Sequence, residues 1–500
     1  MNFITVKEYL LATYKSVWPF QRGEARKLMP LILIKFLVSI NYQILFCLKD
    51  ALVVTQSGAE IIPILKGWIV FPFAILITVL YSKLSNRLSK QALFYTMMGG
   101  FLVTLFAYAF ICCPFSDILS PHASADRLES FLGPKSAHWV AAYRYWIHSL
   151  LFVTAELWGS VVILLLFWGF ANDITTVDEA KKSYNIYVAA GDVATIFMGP
   201  LVISIARSLK AYPFVYTAQL MVGIAILVGL GIIATYWYAH RYILQPHHFL
   251  AGQAQQKAKK PKRKFSLTQG FSYLFTSRYL LSVAIIVIGY GLCISLVEVT
   301  WKSYLKEMHP NPADYQEFMG KITASVGVIA LITSLFFGSG IIKRFGWHFS
   351  AQITPVLVGV MGVCFLSFAV FSKQLQGVLF ALGMSPTMFL VVFGAAHNIG
   401  AKVSKYSFFD PTKEMAFIPL TQEEKLKGKA AIDVVGSRLG KSGSSWIQVL
   451  LFDGFGTGKI TSITHLLLPI VATMSAAWIV SVHSLSKKFN AKSAEMQKAG

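Results

Sequence analysis

Residues 280–302 read LLSVAIIVIGYGLCISLVEVTWK, an uncharged run that ends in Glu298 and Lys302. About 20 consecutive apolar residues are what an α-helix needs to cross the hydrocarbon core of a bilayer. The pattern recurs along the chain. Comparable stretches lie at 28–49, 61–81, 92–113, 141–170, 187–205 and 214–238 before it, and at 322–342, 351–371, 377–399, 430–455 and 460–482 after it. They predict an all-α polytopic membrane protein of about a dozen transmembrane helices. Composition points the same way. The chain is 55% hydrophobic and 14% charged, with a mean hydropathy of +0.58. Soluble domains carry nearer a quarter charged residues, so 500 residues are not read as three or four soluble domains.

Lys and Arg outnumber Asp and Glu 45 to 23. No aromatic-studded basic groove accompanies that excess, so nucleic acid is not the expected partner. The lipid bilayer is. Cytoplasmic loops of membrane proteins are enriched in Lys and Arg, and the cations here are placed accordingly. Lys83, Arg87 and Lys90 follow span two, and Lys343 and Arg344 follow span eight. Lys402, Lys405, Lys413, Lys425, Lys427 and Lys429 follow span ten. The segment 239–279 contains KAKKPKRK (257–264) and no acid. These positions share one side if the spans alternate, which puts both termini in the cytoplasm. The loop 114–140 is mixed, with Asp117, Asp126 and Glu129 beside Arg127 and Lys135. Residues 1–27 include Glu8 and Glu24, unlike a transit peptide. The organisation expected is a six-helix bundle over 1–238, a basic cytoplasmic linker over 239–279 and a second six-helix bundle over 280–500. That is the layout of major-facilitator-like carriers, whose site lies between two halves near the midplane. Cys47, Cys112, Cys113, Cys293 and Cys364 sit in apolar runs without metal-ligand spacing and are read as packing residues.

A charge at the membrane centre costs about 2.5–3.5 kcal/mol on insertion scales, so one that is kept faces a cavity or a partner. Four stripes stand out. Lys35, Tyr42 and Lys49 share one face of span one, with Asp50 following; a lysine there suits a phosphate, or snorkels to headgroups beside the acid. Span four carries Ser149, Glu156 and Ser160, and Glu156 either pairs with a lysine on another helix or serves substrate or proton. Span seven carries Gly291, Ser295, Glu298 and Lys302, the last two at i,i+4 in the favourable order. Span eleven is the least lipid-like, with Asp433, Ser437, Arg438, Lys441 and Ser444 among Gly436, Gly440 and Gly443. Two cations on a small-residue face suit a polyphosphate. The stretch is no Walker A loop, since only three residues separate Gly436 from Gly440 where that motif needs four. ATP hydrolysis is not expected. His397, Asn398 and Asp192 are lesser candidates.

Longer blocks carry a resemblance. They are NYQILFCLKDALVVT (41–55), GAEIIPILK (58–66), AELWGSVV (155–162), LLFWGFAN (165–172), IGYGLCISLVEVTWK (288–302), KYSFFDPTKEMAFIPL (405–420) and KGKAAIDVVGSRLGKSG (427–443). In these the chain resembles the ATP/ADP translocases, the nucleotide transporters of intracellular bacteria and plastids. The resemblance implies a nucleotide antiporter of the bacterial inner membrane, exchanging ADP for ATP by alternating access. It is not an enzyme, and needs no cofactor and no metal. ATP and ADP are its small-molecule substrates, and it acts as a monomer. The family's charged transport residues carry over to Lys49, Glu156, Glu298 and Lys441. With Arg438 and Asn398 these form the expected substrate-binding set, phosphates meeting Lys49, Arg438 and Lys441. Three departures are visible. Phe46 stands where many exchangers have Arg, Lys181-Lys182-Ser183-Tyr184 replaces Lys-Arg-Phe-Tyr, and the glycine-rich end reads Gly440-Lys441-Ser442-Gly443-Ser444. They keep a second reading open, a proton-coupled symporter or exchanger of GTP, UTP, CTP or NAD, with Glu156 or Glu298 carrying the proton. A membrane nucleotide sensor is the reading from another class.

Overall fold

A computed structural model describes residues 22–175, 177–244, 277–334, 339–420, 432, 436–455 and 458–499. The basic run 257–264 and Asp433 lie outside the described residues. Among those described, the regular structure is helical throughout. Twelve helices are labelled here: α1 (Arg22–Ser57), α2 (Ile61–Ser85), α3 (Lys90–Cys112), α4 (Trp146–Ile174), α5 (Val177–Ser208) and α6 (Phe214–Ile243), then α7 (Arg278–Met308), α8 (Pro312–Ile332), α9 (Ser339–Val370, two helical pieces that meet at Gly346, whose φ is 79°), α10 (Pro386–Ser404), α11 (Ser437–Gly454) and α12 (Thr464–Ala499). Nine of the described helices are long and apolar enough to cross a membrane. The three outside that set are α8, α10 and α11: the helix described for α8 stops at Ile332, inside the apolar stretch 322–342, while α10 carries Lys402 and α11 carries Arg438, Lys441 and Asp453.

Several boundaries depart from the hydropathy reading. Span four, expected from 141, is broken at Tyr145, whose φ of −107° and ψ of 42° leave the helical region. The piece before it, Ala137–Arg144, is a separate helix. Arg144 holds it to the helix His122–Leu132 through Asp126 at 2.6 Å and Glu129 at 2.8 Å. Span ten, expected over 377–399, is likewise two helices. Gln376–Ala381 stops short of Gly383, whose φ of 74° favours glycine. Ser385 then accepts the Met388 N–H at 3.1 Å and Pro386 occupies the first turn of α10. In α8 an Asn311 cap followed by Pro312 starts the helix ahead of its apolar run.

Helix α10 does not stop where its hydropathy does. It reaches Ser404, passes through a wide π-type turn at Lys405–Phe409, and continues as Asp410–Ala416. Lys402, Lys405 and Lys413, read from sequence as loop cations, therefore belong to helices. Similar wide turns occur at Leu65–Val70 in α2 and Gly159–Phe167 in α4. Such turns often mark functional positions, because they re-aim side chains within a helix. Lys66 and Lys405 lie within theirs and Glu156 stands three residues before Gly159, whereas the turn Ala107–Cys112 in α3 carries no charged residue.

Helix α7 is the most enclosed, with 83% of its apolar window buried, so it forms an inner wall. It packs on α12, α11 and α10, while α1 packs on α5, α6, α4 and α8. The broadest contact joins α5 to α8. Backbones meet there: a Cβ on Gly199 would lie 2.5 Å from the Ala324 Cβ and 2.8 Å from the Gly320 carbonyl oxygen. Helices α2 and α11 approach similarly, the Trp446 indole N–H donating to the Gly67 carbonyl at 3.2 Å. Side chains such as Leu76, Val103, Leu164, Phe197, Leu227 and Val480 cover the outside and are exposed, as lipid contact requires.

Candidate functional site

An alternating chain of charges runs through the centre. The Lys49 ammonium on α1 lies 3.0 Å from Asp50 Oδ1 and 3.0 Å from Glu156 Oε1 on α4. The other Asp50 oxygen meets Lys302 of α7 at 2.9 Å. Lys302 in turn meets Glu298 at 3.0 Å, and Glu298 lies 4.0 Å from Lys66 of α2. The order is Glu156, Lys49, Asp50, Lys302, Glu298, Lys66. Exposure is graded along it. Side chains in the middle are sealed, at 3% for Lys49, 0% for Asp50 and 1% for Lys302; those at the ends reach solvent, at 21% for Glu156, 14% for Glu298 and 12% for Lys66. Aromatic faces line the sealed part. Lys49 stands 4.1 Å from the centroid of Phe152, and Phe46 has Lys402, Lys49 and Lys302 over its ring at 4.4, 5.1 and 5.7 Å. Cation–π attraction favours these placements where water is excluded.

Opposite stands α11. A Cβ on Gly440 would lie 2.8 Å from the Ile288 carbonyl oxygen and 3.1 Å from the Gly291 Cα, so α11 and α7 touch through bare backbone. That contact sets Lys441 beside the inner wall. Its side chain is nevertheless exposed, and a Cβ on Gly443 would meet open space. The face is a cavity wall. Glu156 is within electrostatic reach of Lys441, Arg438 and Lys66 as well as bonded to Lys49. One carboxylate thus bonds to a cation of α1 and feels the charges of cations on α2 and α11.

At one end of the bundle the two halves of the chain are joined by polar contacts. The Ile460 N–H donates to Glu60 Oε1 at 3.2 Å, and the Trp139 indole donates to Asp453 Oδ2 at 3.2 Å. His138 bonds to the Gly458 carbonyl. Arg207 meets Glu317 at 2.8 Å and Lys210 meets Asp314 at 2.6 Å. All lie where odd-numbered helices finish and even-numbered ones begin. At the other end, the described contacts include Lys27 with Glu179 at 2.8 Å, Lys90 with Asp173 at 2.6 Å, and the Trp347 indole with the Thr412 carbonyl at 2.9 Å, each within one half.

The sequence profile of the TLC ATP/ADP transporter family matches residues 5–489. The chain belongs to that family. Among curated proteins, ADP,ATP carrier protein 1 of Chlamydia muridarum is 42% identical over 485 residues, covering 96% of this chain and 91% of that one. The chloroplastic ADP,ATP carrier protein 1 of Arabidopsis thaliana is 42% identical, covering 94% and 75%. ADP,ATP carrier protein 3 of Rickettsia prowazekii is 34% identical, covering 95% and 96%. Solved structures share the fold at far lower identity. A D-xylose–proton symporter superposes with a TM-score of 0.54 at 13% identity, covering 91% of this chain and 96% of that chain. A bacterial metal transporter gives 0.51 at 16%, covering 93% and 99%. The TLC-family chain is thus a multi-pass membrane transporter with a major-facilitator-like fold.

Within this family member, Lys49, Glu156, Glu298, Arg438 and Lys441 converge on one region. Asn398 does not join them: it is 2% exposed and its amide donates to Gly394 of its own helix at 2.8 Å. His397 is fully buried, its Nε2 at 3.3 Å from the Val358 carbonyl. Ser149 bonds back to its own segment at Tyr145 and Ala142. Of the two readings of Lys49, snorkelling to headgroups does not hold, since it is 2% exposed between two carboxylates. Lys302 makes the expected i,i+4 pair with Glu298 and also binds Asp50 across the bundle. Asp50, Lys66 and Lys402 were not in the expected binding set. Asp50 was legible as a buried acid beside Lys49. Lys66 was legible as an ionisable residue inside the span 61–81.

Proposed function

We propose that this chain exchanges ATP for ADP across a bacterial inner membrane by alternating access, without hydrolysing either. The relatives that it matches at 34–42% identity over nearly their shared length carry the name ADP,ATP carrier. The observation that carries the residue-level reading is Glu156, a carboxylate set among Lys49, Lys66, Arg438 and Lys441. It occupies the position a phosphate would take. An incoming polyphosphate, with more charge and more acceptor oxygens than a carboxylate, displaces Glu156 from Lys49 and binds Lys441 and Arg438 from α11, the latter through its planar fork. Glu298 balances Lys302 and Lys66 while the site is empty. Lys49, Lys302 and Lys66 are each held by an acid, and exchange follows from the cost of separating them. Moving the empty carrier requires separating ion pairs that are buried, whereas a bound nucleotide supplies their replacement.

The bundles over 1–238 and 280–500 act as the two rocking halves, with α5 against α8 and α2 against α11 as their sliding contacts. The Lys/Arg distribution assigns the joined end to the outside and both termini to the cytoplasm. The state described is then inward-facing, and transport is assigned to a single chain. Purified protein in vesicles preloaded with unlabelled ADP tests the reading. Labelled ATP uptake is accelerated by ADP inside and insensitive to an imposed pH gradient. Equal uptake into empty vesicles defeats exchange, and uptake abolished by an uncoupler favours the proton-coupled alternative. Competition by GTP, UTP, CTP and NAD against labelled ATP defines the base preference.

A further inference from the structure

The sealed middle of the charge chain has a separate role from its exposed ends. We propose that Asp50 and Lys302 form the latch that couples occupancy of the phosphate site to opening of the joined end. They are positioning residues and not nucleotide ligands. The inference rests on the exchange reading above. Asp50 is fully buried, and each of its oxygens is used by a different lysine, Lys49 of α1 and Lys302 of α7. It is the joint between the first half of the chain, through Lys49 and Glu156, and the second, through Lys302 and Glu298. The end carboxylates Glu156 and Glu298 are the members open to the chamber. A signal can therefore enter only at the ends, and the separation of halves must break the middle.

The direction of coupling follows from sharing. Lys49 divides its ammonium between Asp50 and Glu156 at equal distances of 3.0 Å. A polyphosphate drawing Lys49 toward the chamber takes it from Asp50. That leaves Asp50 with Lys302 as the sealed pair between the halves, beside the longer and more exposed Lys66–Glu298 contact at 4.0 Å. A buried pair stripped of its supporting partner loses much of what offset its desolvation. The latch is closed in the empty carrier and weakened in the loaded one, which is the condition for obligatory exchange.

The test is Asp50→Asn, which keeps shape and removes charge, examined beside Asp50→Asn with Lys302→Gln. The double variant removes both charges and so avoids the excess buried positive charge that the single one leaves on Lys49 and Lys302, a cost that can prevent folding. Each is reconstituted, and the ratio of ADP-stimulated to unstimulated labelled ATP uptake is measured together with thermal unfolding in detergent. A latch predicts that this ratio falls by about tenfold, the usual size of an allosteric coupling, because the empty carrier now returns unaided, while the unfolding temperature of the double variant stays near that of the unaltered protein. An unchanged ratio in the folded double variant overturns the proposal. So does loss of ATP-induced thermal stabilisation with the ratio intact, which makes the pair part of the binding site. Failure of the unaltered protein to exchange would instead strike the functional reading on which the latch rests.

Discussion

At the scale of single residues, the decisive fact is that most charges in the core have partners, and that Lys441 remains exposed on the chamber wall. Removing it should weaken binding without disturbing the fold. Lys441→Gln is expected to raise the KM for ATP by about 10–100-fold, the loss of one charge-assisted hydrogen bond, with the unfolding temperature unchanged. Initial rates of exchange across an ATP series check it. Glu156→Gln should act differently. Without its carboxylate the phosphate meets less competition for Lys49, so apparent affinity holds or improves while turnover falls; a raised KM would contradict a resident counter-ion. Lys49, Glu156 and Glu298 were legible because an ionisable side chain inside an apolar helix is costly to insert and so is rarely idle. Lys402 was not. Sequence hydropathy ended span ten at 399 and assigned this lysine to a loop, whereas α10 continues to Ser404 and sets it over Phe46 of α1.

At the scale of elements, glycine decides how closely helices meet. On the small-residue face of α11, Gly440 makes a close approach to Gly291 of α7. Gly440→Leu is expected to lower stability by about 1–3 kcal/mol, the cost of overpacking a tight contact, because its Cβ would lie 2.8 Å from a carbonyl oxygen on a neighbouring backbone. Thermal unfolding in detergent reads this directly, and an unchanged midpoint would mean that α7 and α11 separate freely. Helix boundaries were less legible than helices. Gly383, Ser385 and Pro386 stop one helix and start another within a stretch that hydropathy treats as continuous. Tyr145 breaks another for which neither a glycine nor a proline gives warning.

For the whole molecule, orientation is the property that the charge pattern addresses. Alkaline phosphatase fused after Gly133 should be active outside the cell membrane, and fused to the C-terminus inactive. Reversed activities would place the joined end in the cytoplasm and make the described state outward-facing. The chain by itself determined that it spans a membrane many times, that it is similar to nucleotide carriers, and which buried charges to suspect. Those are properties of consecutive residues: an apolar run crosses a bilayer wherever its neighbours lie. Only the tertiary structure decided who pairs with whom. Lys302 finds Asp50 across 252 positions of sequence, and no local pattern records the rotation of each helix that turns one toward the other. Whether a lysine faces lipid, a carboxylate or a chamber depends on that rotation and on the backbones packed beside it, so the site belongs to the packed helices.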